Sequence, residues 1–161
     1  MSVAALYPGT FDPVTRGHED LVRRAAGLFD RLVIAVASSP RKSPLLPLDE
    51  RITLVRAVFS GLGNVEVTGY DGLTVAFARA NGLNVIVRGV RTTSDYEVEA
   101  QLAAMNAELD DAVQTVLLPA TPRLAFVSST LVREIAGMGG DLTAFVSPLV
   151  ASRLRERAAS Q

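Results

Sequence analysis

The single histidine of the chain lies in a segment whose residues suit phosphate chemistry. Residues 7–18 read YPGTFDPVTRGH, and they place Thr15 and His18 in a T-x-G-H pattern where the first helix should begin. Side chains three residues apart share one side of a helix. The free N–H groups and the positive dipole end of a helix N-terminus attract anions. The spacing therefore predicts a phosphate site in which Thr15 caps the helix and His18 lies one turn in.

The residues just before this corner predict how the backbone reaches a ligand. Pro8-Gly9 follows the first apolar run and predicts a tight turn, in which Gly9 lets the backbone approach a ligand closely. Neither G-x-G-x-x-G nor G-x-x-x-x-G-K-[ST] occurs in the chain. The sequence thus excludes a dinucleotide fingerprint and a P-loop in their usual form.

Three further segments carry cationic or hydroxyl side chains. RGVR places Arg88 and Arg91 at the end of the fourth apolar run, Lys42 follows the second run, and VSSTLVRE (127–134) opens a later helix with hydroxyls. Each alone has an ordinary explanation, as a charged loop, a solvated lysine or a helix cap. Together with His18 they predict a site for a polyphosphate flanked by a second anionic group.

The elements that must position these residues alternate between strand and helix. The strand candidates are mostly continuous apolar runs, as in a parallel sheet covered on both faces. This alternation predicts βαβ units with right-handed crossovers, and hence an open parallel α/β sheet. The predicted strands are 3–7, 31–37, 64–69, 84–89 and 114–119, and the predicted helices are 17–28, 48–60, 72–81, 94–109, 129–137 and 148–158.

The order of these elements brings the reactive residues to one edge. In an open α/β sheet the ligand lies beyond the carboxyl ends of the strands. Arg88 and Arg91 lie at the end of the fourth predicted strand, Lys42 follows the second, and His18 follows the first. We therefore expect them to lie along one rim of the sheet.

Local signals predict where several helices begin and end. Ser94 and Glu97 fit an S-x-x-E capping box for the fourth helix, Gly82 fits a left-handed stop after the third, and Ser147-Pro148 fits the start of the last. The fourth helix should carry an apolar stripe of Val98, Leu102, Met105 and Leu109.

Composition narrows the class of protein. The 161 residues fit a single domain, 1–161, and a net charge of −1 argues against broad binding to nucleic acid or to an anionic membrane. With no cysteine and one histidine, a dedicated metal site made of side chains is not expected. There is neither a basic leader nor an apolar run of membrane-spanning length, so a soluble cytoplasmic protein is predicted.

The motifs taken together resemble one family over nearly the whole chain. GTFDPVTRGH, RGVRTTSDYEVE and VSSTLVRE are similar to the signatures of bacterial phosphopantetheine adenylyltransferases, which are T/HxGH nucleotidylyltransferases of coenzyme A biosynthesis. The resemblance implies a Rossmann-like doubly wound sheet with extra C-terminal helices, and a homohexamer. It also implies the reaction: ATP and 4′-phosphopantetheine give dephospho-coenzyme A and pyrophosphate, with Mg²⁺ carried on ATP.

The resemblance also assigns roles to particular residues. Thr10 and His18 would contact phosphates at the reacting centre, with His18 as the catalytic residue. The acceptor phosphopantetheine would be held by Lys42, Thr74 and Arg88 together with Thr10. The implied ATP-binding residues are Thr10, Phe11, His18, Gly89, Val90, Arg91, Glu99, Leu124, Ala125, Phe126, Val127, Ser128, Ser129 and Thr130.

Four positions depart from the residues common in this family. Thr74 stands where a larger apolar residue is frequent, and Leu124 stands where an aromatic one is. Tyr96 and Val98 replace residues that are often Phe and Tyr, on the helix that carries Glu99. None of these differences removes a charged or catalytic group.

The chemistry explains why one histidine is enough. The attacking phosphomonoester is largely dianionic at neutral pH, because its second pKa is about 6, and it needs no base. We therefore hypothesise direct in-line transfer, in which His18 donates a hydrogen bond to the α-phosphate as charge grows there. Because dephospho-coenzyme A closely resembles coenzyme A, feedback inhibition by coenzyme A is a further hypothesis.

Other functions stay open on the sequence alone. A nicotinamide mononucleotide adenylyltransferase or a cytidylyltransferase would keep the chemistry and change the acceptor or the nucleotide. A nucleotide or coenzyme sensor without turnover would keep the binding groups, although it would have no need of a transition-state donor. A purely structural protein fits least well, since it would not need phosphate-binding groups collected on one rim.

Overall fold

The computed structural model describes residues 2–39 and 43–159. Five strands within these residues form a parallel sheet. The strand order is β3-β2-β1-β4-β5, and every neighbouring pair is parallel. This doubly wound α/β order confirms the predicted fold class. The strands are β1 (Ala4–Gly9), β2 (Arg31–Ala37), β3 (Val65–Tyr70), β4 (Val85–Val90) and β5 (Gln114–Pro119).

Six α-helices accompany these strands within the described residues. A short 3₁₀ helix, Pro122–Leu124, also lies in the long segment after β5. No helix of this part of the chain is long and apolar enough to cross a membrane. The α-helices are α1 (Arg16–Leu28), α2 (Leu48–Phe59), α3 (Thr74–Ala80), α4 (Thr93–Leu109), α5 (Ser129–Gly137) and α6 (Pro148–Ala159).

Both faces of the central strands are buried, as their continuous apolar sequences predict. In β2, the alternating residues Val33 and Ile34 point to opposite faces, yet both are almost fully buried. One core contains Ile34 with side chains of α1, α2 and α6, and the other contains Val33 with side chains of α3. Burial on both faces fixes the sheet between helical layers, so the strand ends form a rigid platform.

Pro8 and Gly9 belong to β1, so the predicted tight turn at this dipeptide is wrong. They pair with Ala35 and Val36 of β2, and β1 extends to Gly9. The pairing of β1 with β4 is confined to Ala5 and Leu6. A residue without an N–H is therefore tolerated beyond them. The chain turns instead at Phe11, whose φ of 50° is left-handed.

The fourth helix begins two residues earlier than the predicted capping box. Its N-cap is Thr92, whose hydroxyl accepts a hydrogen bond from the N–H of Asp95 at 3.1 Å. Ser94 therefore lies within the first turn, and the S-x-x-E prediction is wrong. Thr92, two residues before Ser94, is the N-cap because its extended backbone lets the hydroxyl reach back to the helix.

The apolar stripe of α4 exists but is not covered within the chain. Its four side chains are 44–63% exposed, and α4 has no buried residue. The stripe comprises Val98, Leu102, Met105 and Leu109.

The predicted end of α3 is confirmed, and the predicted start of α6 is confirmed in part. Gly82, with a φ of 65°, follows α3 as predicted. The last helix begins at Pro148 as predicted, but the hydroxyl of Ser147 has no hydrogen-bond partner among the described residues, so it does not cap the helix.

Candidate active site

A cavity of about 400 Å³ opens where the strand order reverses, between the carboxyl ends of β1 and β4. This is the switch point at which doubly wound sheets bind their ligands. The N-terminal residues of α1 and α5 and the first turn of α4 form its other walls. The cavity thus joins T-x-G-H, RGVR and the start of VSSTLVRE, three of the four segments that the sequence analysis places on one rim.

Thr15 caps the start of α1, as predicted, and the side chain of His18 makes the cap reciprocal. The Thr15 hydroxyl accepts from the His18 N–H at 3.4 Å, and the imidazole Nδ1 accepts from the Thr15 N–H at 3.0 Å. A ring nitrogen that accepts an N–H carries no proton of its own. The proton of a neutral ring must then lie on Nε2, so Nε2 is the donor available to a ligand.

The environment of His18 keeps its ring neutral. Burial, with the nearby positive charges of Arg91 and Arg88, lowers the pKa of the imidazole to about 4. The cationic form is disfavoured because it would lose hydration and meet two guanidiniums. His18 is therefore a neutral hydrogen-bond donor at physiological pH and not an imidazolium.

Phe11 holds the ring of His18 in place from the loop before α1. Its side chain is 2% exposed, and its ring centroid lies 4.9 Å from that of His18 and 5.5 Å from that of Tyr7. The left-handed backbone at Phe11 is uncommon outside glycine and is held by this packing. The loop thus presents Thr10 and His18 to the cavity as one unit.

Arg88 and Glu99 form a two-point ion pair at the mouth of β4. Nε and Nη2 of Arg88 donate to the two carboxylate oxygens at 2.8 and 2.7 Å, while Nη1 donates to the Pro8 carbonyl at 2.9 Å. The pair ties β4, α4 and β1 together. Burial alone would lower the pKa of Arg88, but the hydrogen bonds that Arg88 donates to Glu99, and the charge of this carboxylate, raise it overall. Two of the five guanidinium N–H groups stay unused and can meet a phosphate.

Two more arginines at the cavity form ion pairs, each through a single contact with a carboxylate oxygen. Arg91 donates from Nε to Asp95 at 3.1 Å and from Nη1 to the Val127 carbonyl at 3.2 Å. Arg133 donates to the Asp12 carbonyl and lies 3.6 Å from its carboxylate. Every carboxylate that lines the cavity therefore already has an arginine partner. No cluster of His, Asp or Glu suited to a metal occurs in the described residues.

The start of α5 brings backbone N–H groups to the cavity. Ser128 is its N-cap and accepts from the Leu131 N–H at 3.2 Å, and the Ser129 hydroxyl donates to the Pro13 carbonyl at 2.8 Å. The hydroxyls of this segment thus fix the helix in place. The N–H groups of its first turn have no partner inside the helix and suit an anion.

Gly89 leaves room for a side chain of α1 beside the end of β4. A Cβ at this position would lie 2.5 Å from Cδ1 of Leu21 in α1, so a larger residue would require the Leu21 side chain to shift. The glycine between the two arginines therefore fits the packing of Leu21 against this end of the strand.

Arg51 is the main supporting residue that the sequence analysis missed. Its side chain is 1% exposed and donates to the carbonyls of Thr10, Ala37, Ser38 and Leu46 at 2.7–3.1 Å. The guanidinium of Arg51 thereby links the segments that follow β1 and β2. An arginine in a helix sequence gives no sign of such burial, so no sequence signal could have found it.

Asp12 completes this link and was also missed. It is 3% exposed, and its two carboxylate oxygens accept from the N–H groups of Leu45 and Leu46 at 2.8 and 2.9 Å. The DP dipeptide predicts a turn and does not predict these contacts. Asp12 thus fixes the far side of the loop after β2.

The cavity brings together most of the residues assigned from the sequence. Thr74 lies outside it, with its hydroxyl 2.9 Å from that of Tyr70, and Lys42 falls outside the described residues. Val90, Ala125 and Phe126 are not among the lining residues. Those that do line it are Thr10, Phe11, His18, Arg88, Gly89, Arg91, Glu99, Leu124, Val127, Ser128, Ser129 and Thr130.

Two solved structures that share this architecture are described as adenylyltransferases. The chain superposes on a nicotinate-nucleotide adenylyltransferase, described as putative, from Vibrio parahaemolyticus with a TM-score of 0.72 and 20% identity, over 98% of this chain and 95% of that one. A nicotinic acid mononucleotide adenylyltransferase from Plasmodium falciparum, complexed with NaAD, gives 0.73 and 13%, over 97% and 96%. Identities this low establish the fold.

Sequence comparison gives the class and then the family. The model of the cytidylyltransferase-like family matches residues 6–135, so the chain is a member of that class. It is 55% identical to the phosphopantetheine adenylyltransferase of Thioalkalivibrio sulfidiphilus over 98% of this chain and 99% of the relative. The enzyme of that name from Methylobacillus flagellatus is 54% identical, over 92% and 93%. The chain belongs to the phosphopantetheine adenylyltransferase family.

Proposed function

We infer that the chain transfers the adenylyl group of ATP to 4′-phosphopantetheine, giving dephospho-coenzyme A and pyrophosphate. The observation that carries this is the cavity at the switch point, where a neutral His18, two helix N-termini and the guanidiniums of Arg88 and Arg91 face one space. Membership of the family supports the choice of acceptor. The site has the groups that bring one phosphate against another and lacks a base, which the reaction does not need.

The reaction proceeds by direct in-line attack. An oxygen of the acceptor phosphate forms a bond to the α-phosphorus of ATP. The bond between the α-phosphorus and the oxygen that bridges the α- and β-phosphates breaks, and pyrophosphate leaves with that oxygen. Negative charge builds on the α-phosphate oxygens, where Nε2–H of His18 donates a hydrogen bond. A base with a pKa near 4 would hold a proton poorly at neutral pH, so general-base catalysis by His18 is disfavoured.

The two sides of the cavity divide the substrates. Arg88, with two N–H groups to spare, holds the acceptor phosphate together with Lys42 and Thr10. Thr74, which lies outside the cavity, would contact the pantetheine arm. Because Arg91 donates to the carbonyl of Val127, it joins RGVR to the segment proposed to hold the nucleotide. ATP binds across the N-termini of α1 and α5, along residues 124–130.

Magnesium enters on the triphosphate in this proposal. The cavity carboxylates Asp12, Asp95 and Glu99 are each engaged by an arginine, so they make no cage for the ion. Mg²⁺ readily keeps several water ligands and binds through phosphates. It would neutralise charge on the phosphates, while the side chains of this chain bind and orient the two substrates.

Incubation with ATP, Mg²⁺ and 4′-phosphopantetheine tests the function directly. Pyrophosphate and dephospho-coenzyme A should appear together, and the reverse reaction should make ATP. CTP in place of ATP, and nicotinamide mononucleotide in place of the acceptor, test the two related chemistries. Tight ATP binding with no pyrophosphate formed under any of these conditions would favour a sensor and would reject the proposal.

A homohexamer would explain the uncovered face of α4. Val98, Leu102, Met105 and Leu109 form an exposed apolar stripe on one helix, and contiguous apolar patches of this kind mark protein–protein contacts. Copies of the chain that pack these stripes together would remove them from water. The hexamer itself is implied by the family resemblance, and the stripe supports association between copies.

Replacing two residues of the stripe by Glu should break this assembly. Leu102→Glu with Met105→Glu introduces charge where we propose an apolar contact, so light scattering after size exclusion should show a smaller particle. Leu28→Glu is the matched control, since Leu28 is 63% exposed on α1 and lies outside the stripe. A double variant with the same mass as the wild type would contradict the proposed interface.

Coenzyme A should bind where the product does. It shares the pantetheine arm and the adenylyl group with dephospho-coenzyme A, so we propose that it competes with ATP for the cavity. Steady-state kinetics with coenzyme A as inhibitor should show a rising KM for ATP at unchanged kcat. Inhibition that leaves the KM for ATP unchanged would place coenzyme A elsewhere.

A cytoplasmic location stays a prediction from the sequence.

A further inference from the structure

Tyr7 is a cavity residue to which the sequence motifs assign no role. It lies near the carboxyl end of β1, its side chain is 7% exposed, and it lines the cavity. Its ring packs edge-on against Phe11 and lies 6.4 Å from the ring of His18, measured between centroids. The strand and these rings fix its position, so its hydroxyl is directed before any ligand arrives.

The hydroxyl of Tyr7 has no hydrogen-bond partner among the residues that the structure describes. A phenol buried to this extent normally hydrogen-bonds to a neighbour. Within 2–39 and 43–159, the unpartnered polar side-chain atoms sealed from solvent belong to Thr115, Ser147 and Arg157. The Tyr7 hydroxyl is not one of them, so it is open to the cavity that the residue lines.

Burial keeps the hydroxyl of Tyr7 protonated. Burial raises the pKa of the phenol to about 12, in spite of the opposing effect of Arg88 and Arg91, and Glu99 adds to the rise. The group is thus a neutral donor at physiological pH. A neutral donor beside two guanidiniums, in a site withdrawn from water, suits an anionic oxygen better than any other partner.

We propose that the Tyr7 hydroxyl donates a hydrogen bond to a phosphate oxygen of the substrates bound in this cavity. The proposal rests on the proposed function for the identity of those substrates. The bond would need no rearrangement, since ring packing already fixes the donor, and a fixed donor is what makes such contacts effective. Tyr7 and His18 would then be two neutral donors that meet phosphate from neighbouring elements.

The variant Tyr7→Phe removes the hydroxyl and keeps the ring. Because the hydroxyl has no partner within residues 2–39 and 43–159, the thermal unfolding temperature should change little. We expect kcat/KM to fall about 10- to 100-fold, as for loss of a hydrogen bond to a charged group. Tyr96→Phe is the matched control, since Tyr96 is 54% exposed on α4 and outside the cavity; it should keep the wild-type value.

Binding titrations show which phosphate is involved and separate this proposal from the proposed function. A dissociation constant raised about 10-fold for ATP alone, or for phosphopantetheine alone, assigns the contact to that substrate. A fall in kcat with both constants unchanged assigns it to the transition state. Unchanged kcat and unchanged constants for both substrates overturn the proposal. A wild-type protein without turnover rejects the function, and the two titrations still decide the role of Tyr7.

Discussion

The variant His18→Ala should lose about 100- to 1000-fold in kcat, with smaller changes in the KM of either substrate. This is the usual effect of removing one donor that stabilises a transition-state oxyanion. The loss should fall on kcat because the hydrogen bond strengthens only as charge grows on the α-phosphate. Pyrophosphate-dependent ATP synthesis is the assay. Turnover close to that of the wild type would remove His18 from the mechanism.

Two further variants separate the donor from the helix cap. Thr15→Ala removes the capping hydroxyl and leaves the imidazole. It should therefore lower the thermal unfolding temperature and have only a small effect on kcat. His18→Gln restores an N–H near the position of Nε2 and should recover part of the lost rate. If Thr15→Ala lost as much rate as His18→Ala, the role of the histidine would be structural.

The variant Arg88→Ala should weaken the acceptor far more than ATP. It removes two spare N–H groups and also leaves Glu99, whose side chain is 12% exposed, without a cation. Arg88 and the acceptor phosphate would form a buried charge pair. Truncating one partner of such a pair across a binding interface costs roughly 2–5 kcal/mol, which is about 30-fold or more in affinity. The uncompensated carboxylate would also repel the incoming phosphate. We expect kcat/KM for phosphopantetheine to fall by at least this factor.

Arg31→Ala is the matched control for this loss. Arg31 pairs with Glu66 by the same two-point geometry, at 2.8 Å on both contacts, but at an exposed site outside the cavity. Exposed pairs contribute little to stability, so activity and acceptor affinity should stay near those of the wild type. A change confined to the ATP constant in Arg88→Ala would mean that the two subsites are assigned the wrong way round.

The fold could be predicted because its signals are local and repeated. Continuous apolar runs such as 31–37 identify buried parallel strands, and all five predicted strands appear within two residues of their expected ends. Pro8 was misread because a proline at the end of a run usually marks a turn. The strand continues past Pro8 because β1 no longer pairs with β4 there. This depends on the tertiary arrangement of the strands, which the local sequence does not show.

The site could be predicted only where residue type and strand order carry the information. His18 follows the end of β1 and Arg88 lies near the end of β4, and these strand ends converge on one rim. Arg51 and Asp12 were missed because their contacts are to backbone atoms far away in the sequence. The stripe of α4 was recognised as apolar, but the periodicity of a helix does not say whether its partner is the core or another chain.

The state of the single imidazole tests the central claim most directly. Because the chain has one histidine, ¹⁵N-histidine labelling gives a single ring to observe by NMR. The account predicts a neutral ring protonated on Nε2 from about pH 5.5 upward, with the Nε2–H resonance shifting downfield when ATP and Mg²⁺ bind. A ring protonated on both nitrogens near pH 6, or one carrying its proton on Nδ1, would contradict it.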